Sequence, residues 1–443
     1  MAAQNHSQIK NPSRFKLSRL LTSIAFLLIV FSVYSPSAIP SLSTIGFLGG
    51  VNTIIISFLL LLSLRQFLYL FFSVCEEIRR EQIPNDFAMH PVSIIVPAYN
   101  EGVVIKDTIK TLLSMNYPAF EIIVVDDGST DKTFDLAREV VDPRLRVFRK
   151  DNSGKALSLN YGISFAKYDY VFCMDADSLV GENAIKFGIR HFFDPDVAAV
   201  AGSVLVLNQK NAITSFQTVE YLTGLNFFKA AQSYLGLVTI IPGPSGLFKK
   251  SAIQAIGGYE SDTFAEDCDL TLRLVQSGSK IVYEPYMEVS TEVPEQTLPL
   301  IKQRYRWNRG ILQATRKYMS QHSLFKVKEA KTLMVFLYLW LESIALPFVN
   351  VAIALLSLGY QIFNADFSLL SLWLVVLLGL DLAVLLITLV DSRWPMRLIW
   401  YSFFNRFTYS FFQDLVKIIS SVEEIVGIRM NWGKLDRVGV NKK

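Results

Sequence analysis

Residues Val92–Asp131 read VSIIVPAYNEGVVIKDTIKTLLSMNYPAFEIIVVDDGSTD, and their pattern decides the fold. VSIIVP (Val92–Pro97) is a short run of mostly branched apolar residues, and EIIVV (Glu121–Val125) repeats it. Between them, Val103–Ser114 carries its apolar residues at helical spacing. The alternation continues downstream. Asp131–Val141 is helical, LRVF (Leu145–Phe148) is a strand, Lys155–Ala166 is helical, and YVFCM (Tyr170–Met174) is a fourth strand. Wholly apolar strands alternating with helices predict an α/β domain with a mostly parallel sheet covered on both faces.

Ligands of such sheets gather beyond the carboxyl ends of the strands. Three loops stand there: PAYNE (Pro97–Glu101), Asp126-Asp127-Gly128-Ser129 and Asp175-Ala176-Asp177. No glycine-rich dinucleotide fingerprint follows the first strand, which disfavours hydride transfer. Asp175 and Asp177 flank a small residue in a tight turn. Their hard oxygens suit Mg2+ or Mn2+, with substrate phosphates completing the shell; a solvated turn is the plain alternative. Of Asp126 and Asp127, a turn or helix cap accounts for one and a ligand contact for the other. Lys155, in NSGKA, opens a predicted helix whose free N–H groups can face a diphosphate.

Two further clusters lie downstream. Thr263-Phe264-Ala265-Glu266-Asp267 precedes a helix expected to end at Gly278, and Thr263 with Glu266 matches a capping box. That leaves Asp267 free in the first turn, where the helix N-terminus favours its ionised form and a base role is open to it. Gln303-Arg304-Tyr305-Arg306-Trp307 lies in a basic amphipathic stretch, Gln296–Met319. A helix lying on a membrane surface explains most of that stretch. It does not explain Gln303, Arg306 and Trp307, which share one helix face.

The whole chain has 443 residues, 51% hydrophobic and only 19% charged, with mean hydropathy +0.34. That is too little charge for a purely soluble or a disordered protein. A net charge of +4 is too balanced to indicate nucleic acid. Three scattered cysteines give no disulfide framework, and four distant histidines no zinc spacing. Apolar stretches predict membrane spans at about 20–39, 45–66, 332–358 and 368–390. Lys10, Arg14, Lys16 and Arg19 before the first stretch put the N-terminus and the middle of the chain in the cytoplasm. The expected organisation is a membrane region at 1–74, a cytoplasmic catalytic domain at 75–295 and an interface helix at 296–331. A second membrane region follows at 332–426, whose segment 398–420 is interfacial or re-entrant, and then a basic cytoplasmic tail at 427–443. Glu342 and Asp381, charged within spans, either line a channel or pair helix to helix.

Taken in order, PAYNE, VVDDGSTD, NSGKA, DADS, AED (265–267) and QRYRW resemble the processive family 2 glycosyltransferases, the cellulose, chitin, hyaluronan and poly-N-acetylglucosamine synthases. The similarity runs from about Val92 to Gln313. It implies a GT-A fold, Rossmann-like, flanked by transmembrane helices, with a UDP-sugar donor. By resemblance, Asp127 together with Asp126 binds the uracil part, Pro97, Tyr99 and Glu101 are donor-binding, and Lys155 lies near the donor. Asp177 and Asp175 hold the metal, Asp175 also facing the donor. Asp267 is the general base with Glu266 beside it. Gln303 and Arg306 hold the diphosphate, and Trp307 meets the acceptor sugar. Ala265 departs from the family's TED but spares the acidic pair. Trp432-Gly433-Lys434 is similar to the tail of hyaluronan synthases that closes over the nucleotide, so Trp432 joins the donor residues. The FxVTxK gating loop of cellulose synthase is absent, which favours the N-acetylglucosamine polymers.

The function implied is inverting, processive extension of a β-linked polysaccharide from a UDP-sugar, foremost UDP-N-acetylglucosamine, with export through the enzyme's own helices in the plasma membrane. Its partners are the donor, the growing polysaccharide and the lipid bilayer, without nucleic acid, and with room for a small membrane accessory subunit. Transfer of one sugar to a lipid carrier or glycolipid is the rival enzyme reading. A non-catalytic scaffold or export channel is the rival of another class.

Overall fold

In the computed structural model, residues 47–84, 86–321, 330–364, 378–386, 388–389 and 394–428 are described. Eight strands make one sheet: β1 (Val92–Ala98), β2 (Phe120–Asp126), β3 (Leu145–Arg149), β4 (Tyr170–Cys173), β5 (Ser178–Val180), β6 (Val197–Val206), β7 (Gly246–Lys249) and β8 (Lys280–Thr291), in the order β3-β2-β1-β4-β7-β6-β8-β5. β1 runs parallel to β2 and β4, β2 to β3, and β6 to β8. β7 enters antiparallel between β4 and β6, and β5 is antiparallel on the edge. The sheet is therefore mostly parallel, with the first four expected strands in place within a residue or two.

Why these runs are apolar throughout is visible in the packing. Successive β1 residues alternate between two cores. Ile94 and Val96 meet Ile109 and Leu112 of α2 (Ile105–Leu113) on one face, while Ile95 joins Leu159 and Ile163 of α4 (Lys155–Ser164) on the other. Both faces are covered, so neither set of side chains can be polar. Helix α3 (Thr133–Arg138) lies between β2 and β3, and α5 (Ala184–Ile189) precedes β6.

Beyond the first four strands come α6 (Ala212–Glu220), a wide turn at Tyr221–Phe227, α7 (Phe228–Leu235), α8 (Lys250–Ala255) and α9 (Glu266–Gln276). The long α10 (Thr297–Gln321) follows β8 and carries the QRYRW residues. Helix α1 (Phe47–Glu81) leads into the domain, so the expected boundary at 74/75 falls inside a continuous helix. α1 is stapled to α7: Ser73 Oγ donates to the Phe227 carbonyl at 3.1 Å, and Ser233 Oγ donates to Glu76 at 2.5 Å.

At the other end stand α11 (Ala330–Trp340), α12 (Leu346–Asn364), α13 (Leu398–Asn405) and α14 (Phe411–Val426). Thr53–Glu81 and Lys331–Phe363 are long and apolar enough to cross a membrane. The expected span at 20–39 lies outside the described residues, and of 368–390 only 378–386 and 388–389 are described, as helix. Segment 398–420 is helical and continues through Val426. Glu342 pairs with Arg65 at 2.7 Å and Asp381 with Arg406 at 2.7 Å, helix to helix in both cases. Glu342, Arg65, Arg406, Asn350 and Asp414 surround a cavity of about 50 Å³, room for a water or two.

Candidate active site

The loops at the carboxyl end of the sheet hold one another. Asn100 adopts a left-handed backbone (φ 53) and its Oδ1 accepts the Thr130 N–H at 2.8 Å. The Glu101 N–H donates to Thr133 Oγ1 at 2.8 Å, and Glu101 is buried. PAYNE is thereby clamped onto DDGST. Pro97 sits buried within β1, beyond its last β4 partner, where its missing N–H breaks no ladder bond to β4. Tyr99 is half-buried at the strand end.

Asp126 and Asp127 divide their work. Asp126 closes its own turn by accepting the Ser129 N–H at 3.3 Å and pairs with Arg149 at 3.2 Å. Asp127 reaches across to the next loop, accepting the N–H groups of Ser153 at 3.0 Å and Gly154 at 2.8 Å, with Lys150 as ion partner. Asp127 thus fixes the loop that delivers Lys155, the first residue of α4.

Lys155 is the hub. Its Nζ lies 2.6 Å from Asp175 and 2.9 Å from Glu266, so it joins the DxD turn to the AED segment. Burial opposes the charge on Lys155, but the two carboxylates keep its pKa above the ordinary lysine value. Burial also opposes the charge on Glu266, yet Lys155, with Arg306 further off, holds its pKa below the usual value. Asp175 is shifted up by burial and by nearby Asp177, despite Lys155. Asp177 is buried, with Thr291 and Ser178 hydroxyls at 3.4 and 3.2 Å.

Asp267 occupies the second position of α9. One carboxylate oxygen accepts the Cys268 N–H at 2.8 Å and the other the Gly243 N–H at 3.2 Å. Desolvation and the Glu266 charge push its pKa to about 6, outweighing the helix N-terminus that was expected to favour ionisation. The expected capping box is also absent. The N-cap of α9 is Ala265, and the buried Thr263 hydroxyl has no hydrogen bond. The reason is that Glu266 is drawn away to Lys155, and the chain before it is pressed against α10.

Along α10, Gln303 is buried, Arg306 and Trp307 are half-buried, and Lys302 is exposed. Arg304 and Arg309, members of the basic stretch, are both 4% exposed and so do not face solvent. Arg304 binds Glu220 at 2.7 Å and stacks 4.2 Å over the Trp307 ring, fixing its plane. Trp307 packs beside Val204, Val206, Tyr221 and Val293. Trp432 lies outside the described residues.

Sequence reasoning missed the loop Ile241–Ser245. A Cβ on Gly243 would stand 2.9 Å from Lys155 Nζ and 3.7 Å from carboxylate oxygens of Asp175 and Asp267, so only glycine leaves that space open. It also missed Lys229 on α7, buried, with its pKa lowered to about 7 by desolvation despite the Asp267 charge. Prolines, a glycine and a lone lysine carry no motif from which to read this.

Asp175 and Asp177 fit a hard divalent cation. They are carboxylates, a cation already stands on Asp175, and among the described residues no group of three His, Cys, Asp or Glu side chains could hold an ion unaided. Such an ion takes its remaining ligands from phosphate oxygens and water.

Residues 93–257 match the family described as Glycosyl transferase family 2. The poly-beta-1,6-N-acetyl-D-glucosamine synthase of Staphylococcus aureus (strain COL) is 36% identical over 222 residues, 49% of this chain and 54% of that protein. The synthase of the same name from Staphylococcus epidermidis gives the same identity and coverage. The chain thus spans about half the length of the curated relatives it matches. A mannosyltransferase from Pyrobaculum calidifontis, solved with GDP-Man and Mn2+, superposes with a TM-score of 0.58 at 18% identity over 85% of this chain and all of that one. That likeness speaks to the fold, which is GT-A-like. Over residues 93–257, where the loops converge, this chain is thus similar to family 2 glycosyltransferase domains.

Proposed function

We propose that the protein is an inverting, processive synthase that builds a β-linked N-acetylglucosamine polymer from UDP-N-acetylglucosamine and passes it outward through its own helices. The observation that carries the reading is one cluster of charged side chains around Lys155. It joins the carboxylates suited to a donor diphosphate (Asp175, Asp177) through Lys155 to Asp267, close to the helix bearing Arg306 and Trp307. The staphylococcal relatives supply the choice of sugar.

In the reaction the acceptor hydroxyl gives its proton to the Asp267 carboxylate while its oxygen bonds to the donor's anomeric carbon. The bond from that carbon to the diphosphate oxygen breaks, UDP leaves with the electron pair, and a single displacement inverts the centre. Lys155 and Arg306 face the charge that grows on the diphosphate. Asp175 and Asp177 would hold Mg2+ or Mn2+, which when bound neutralises part of that charge. Asp127 seats the loop that carries Lys155, which supports a place for the nucleotide beside it. Trp307, held flat by Arg304, offers a face to a pyranose ring.

The membrane arrangement proposed is a cytoplasmic catalytic domain between spans, with α10 and α14 at the interface. Glu342 and Asp381 are paired and the cavity beside them admits only water, so export requires those helices to part. The test is to incubate membranes containing the full chain with labelled UDP-N-acetylglucosamine and divalent cation, then size the product. Long β-linked chains are expected. A lipid carrying one sugar would reject processivity, and no UDP release from any UDP-sugar would reject the enzyme.

A further inference from the structure

The loop that delivers Asp267 is held from the far side of α10. The Phe264 N–H, three residues before Asp267, donates to Gln313 Oε1 at 3.1 Å. Gln313 Nε2 in turn donates to Glu424 Oε2 on α14 at 3.2 Å. The same Glu424 oxygen receives Arg309 Nε at 2.6 Å, and Arg309 Nη2 donates to the Ile428 carbonyl at 2.6 Å. Gly310 lies between these two α10 residues, and a Cβ there would stand 2.6 Å from Ala265 Cβ and 2.7 Å from Ala265 N. α10 therefore touches the backbone just before the catalytic pair, and a run of hydrogen bonds passes from α14 through α10 to that backbone.

We propose that Gln313 and Glu424 are positioning residues for the sugar-transfer step, tying the C-terminal helix α14 to the loop that places Asp267. This rests on Asp267 being the base, as proposed above. Three features separate the relay from ordinary packing. It ends on a backbone N–H of the catalytic loop, not on a side chain that can move aside. The N-cap Ala265 provides no side-chain cap of its own, so Gln313 supplies the outside hold on this turn. Glu424 is engaged by both α10 residues, so shifting α14 moves two hydrogen bonds together. Reach between Asp267 and the acceptor hydroxyl sets the chemical step, and a misplacement of about 1 Å costs up to about a hundredfold in rate.

The test uses the full chain in lipid nanodiscs, with Gln313→Leu, Glu424→Ala and the conservative Glu424→Gln, whose amide oxygen still accepts from Gln313 and Arg309. Hydrogen exchange at the amides of 264–267 and steady-state kinetics are both read, with β1 and β2 amides reporting that the fold is intact. The expected result is faster exchange at 264–267 in Gln313→Leu and Glu424→Ala and kcat down about 10- to 100-fold. The donor KM should stay within about twofold, with substantial recovery in Glu424→Gln. Unchanged exchange overturns the relay; so does a kcat equal to that of the unaltered protein, or a loss shared equally with donor binding. An unaltered protein that transfers no sugar at all fails the enzyme reading instead, and the exchange data still decide whether α14 governs the loop.

Discussion

Asp267 works at a cost to the fold. Its pKa near 6 lies above the ordinary 3.8, so the ionised carboxylate is held less comfortably in the native pocket than in the unfolded chain. The cost is absent below the unfolded value of 3.8, grows from there to about pH 6 and is full above it, while below about pH 6 the proposed base is protonated and idle. Asp267→Asn should therefore abolish polymer formation, leave UDP binding measurable by calorimetry, and raise the neutral-pH melting temperature. The kcat of the unaltered enzyme should climb with pH through an apparent pKa of about 6, the form in which Asp267 can accept a proton. Glu266→Gln removes the like charge that helps raise that value, so the acidic limb should move to lower pH. A limb that stays in place would show that another group controls it. These carboxylates were legible in the sequence because they open a helix and match, by resemblance, the family's acidic pair. The elevated pKa was not, because it depends on how deeply the folded chain buries Asp267 beside the Glu266 charge.

Among the elements, β1 to β4 could be read directly, since a strand buried on both faces leaves an uninterrupted apolar run. α10 could not. Arg304 and Arg309 look like solvent-facing members of a basic stripe until their partners appear, and those partners, Glu220 and Glu424, lie 84 and 115 residues away in the chain. The glycine at 310 gave no signal either, because its meaning is the space it leaves for Ala265. It makes a clear prediction. Gly310→Ala puts a methyl group 2.6 Å from Ala265 Cβ, where helix and catalytic loop would have to separate. A loss of about 1–3 kcal/mol in stability is expected, with most transfer activity. Gly224→Ala, in the wide turn before α7, is the control: nothing lies within 4 Å, and the change should be neutral or stabilising by up to about 1 kcal/mol. Equal behaviour of the two variants in thermal melts and UDP-release assays would reject the contact's importance.

At the scale of the whole molecule, segments from both ends of the described chain meet around the domain. Helix α1 grips α7, and α14 grips α10. The apolar helices are themselves joined by charge, through Arg65 with Glu342 and Asp381 with Arg406. Breaking one partner should hurt more than removing both. In a double-mutant cycle on Asp381→Asn and Arg406→Gln, read by melting of the detergent-solubilised protein, a coupling of about 0.5–3 kcal/mol is expected. Strict additivity would reduce the pair to coincidence. Helix α14 works in two directions. Glu423 and Glu424 hold Tyr305 and Arg309, while Leu415, Ile419, Val422, Ile425 and Val426 form an exposed apolar ridge. In the membrane arrangement proposed here that ridge rests in the inner leaflet. Lateral pressure and acyl-chain composition then become inputs to catalysis, and lipid supply can throttle the enzyme without any soluble effector.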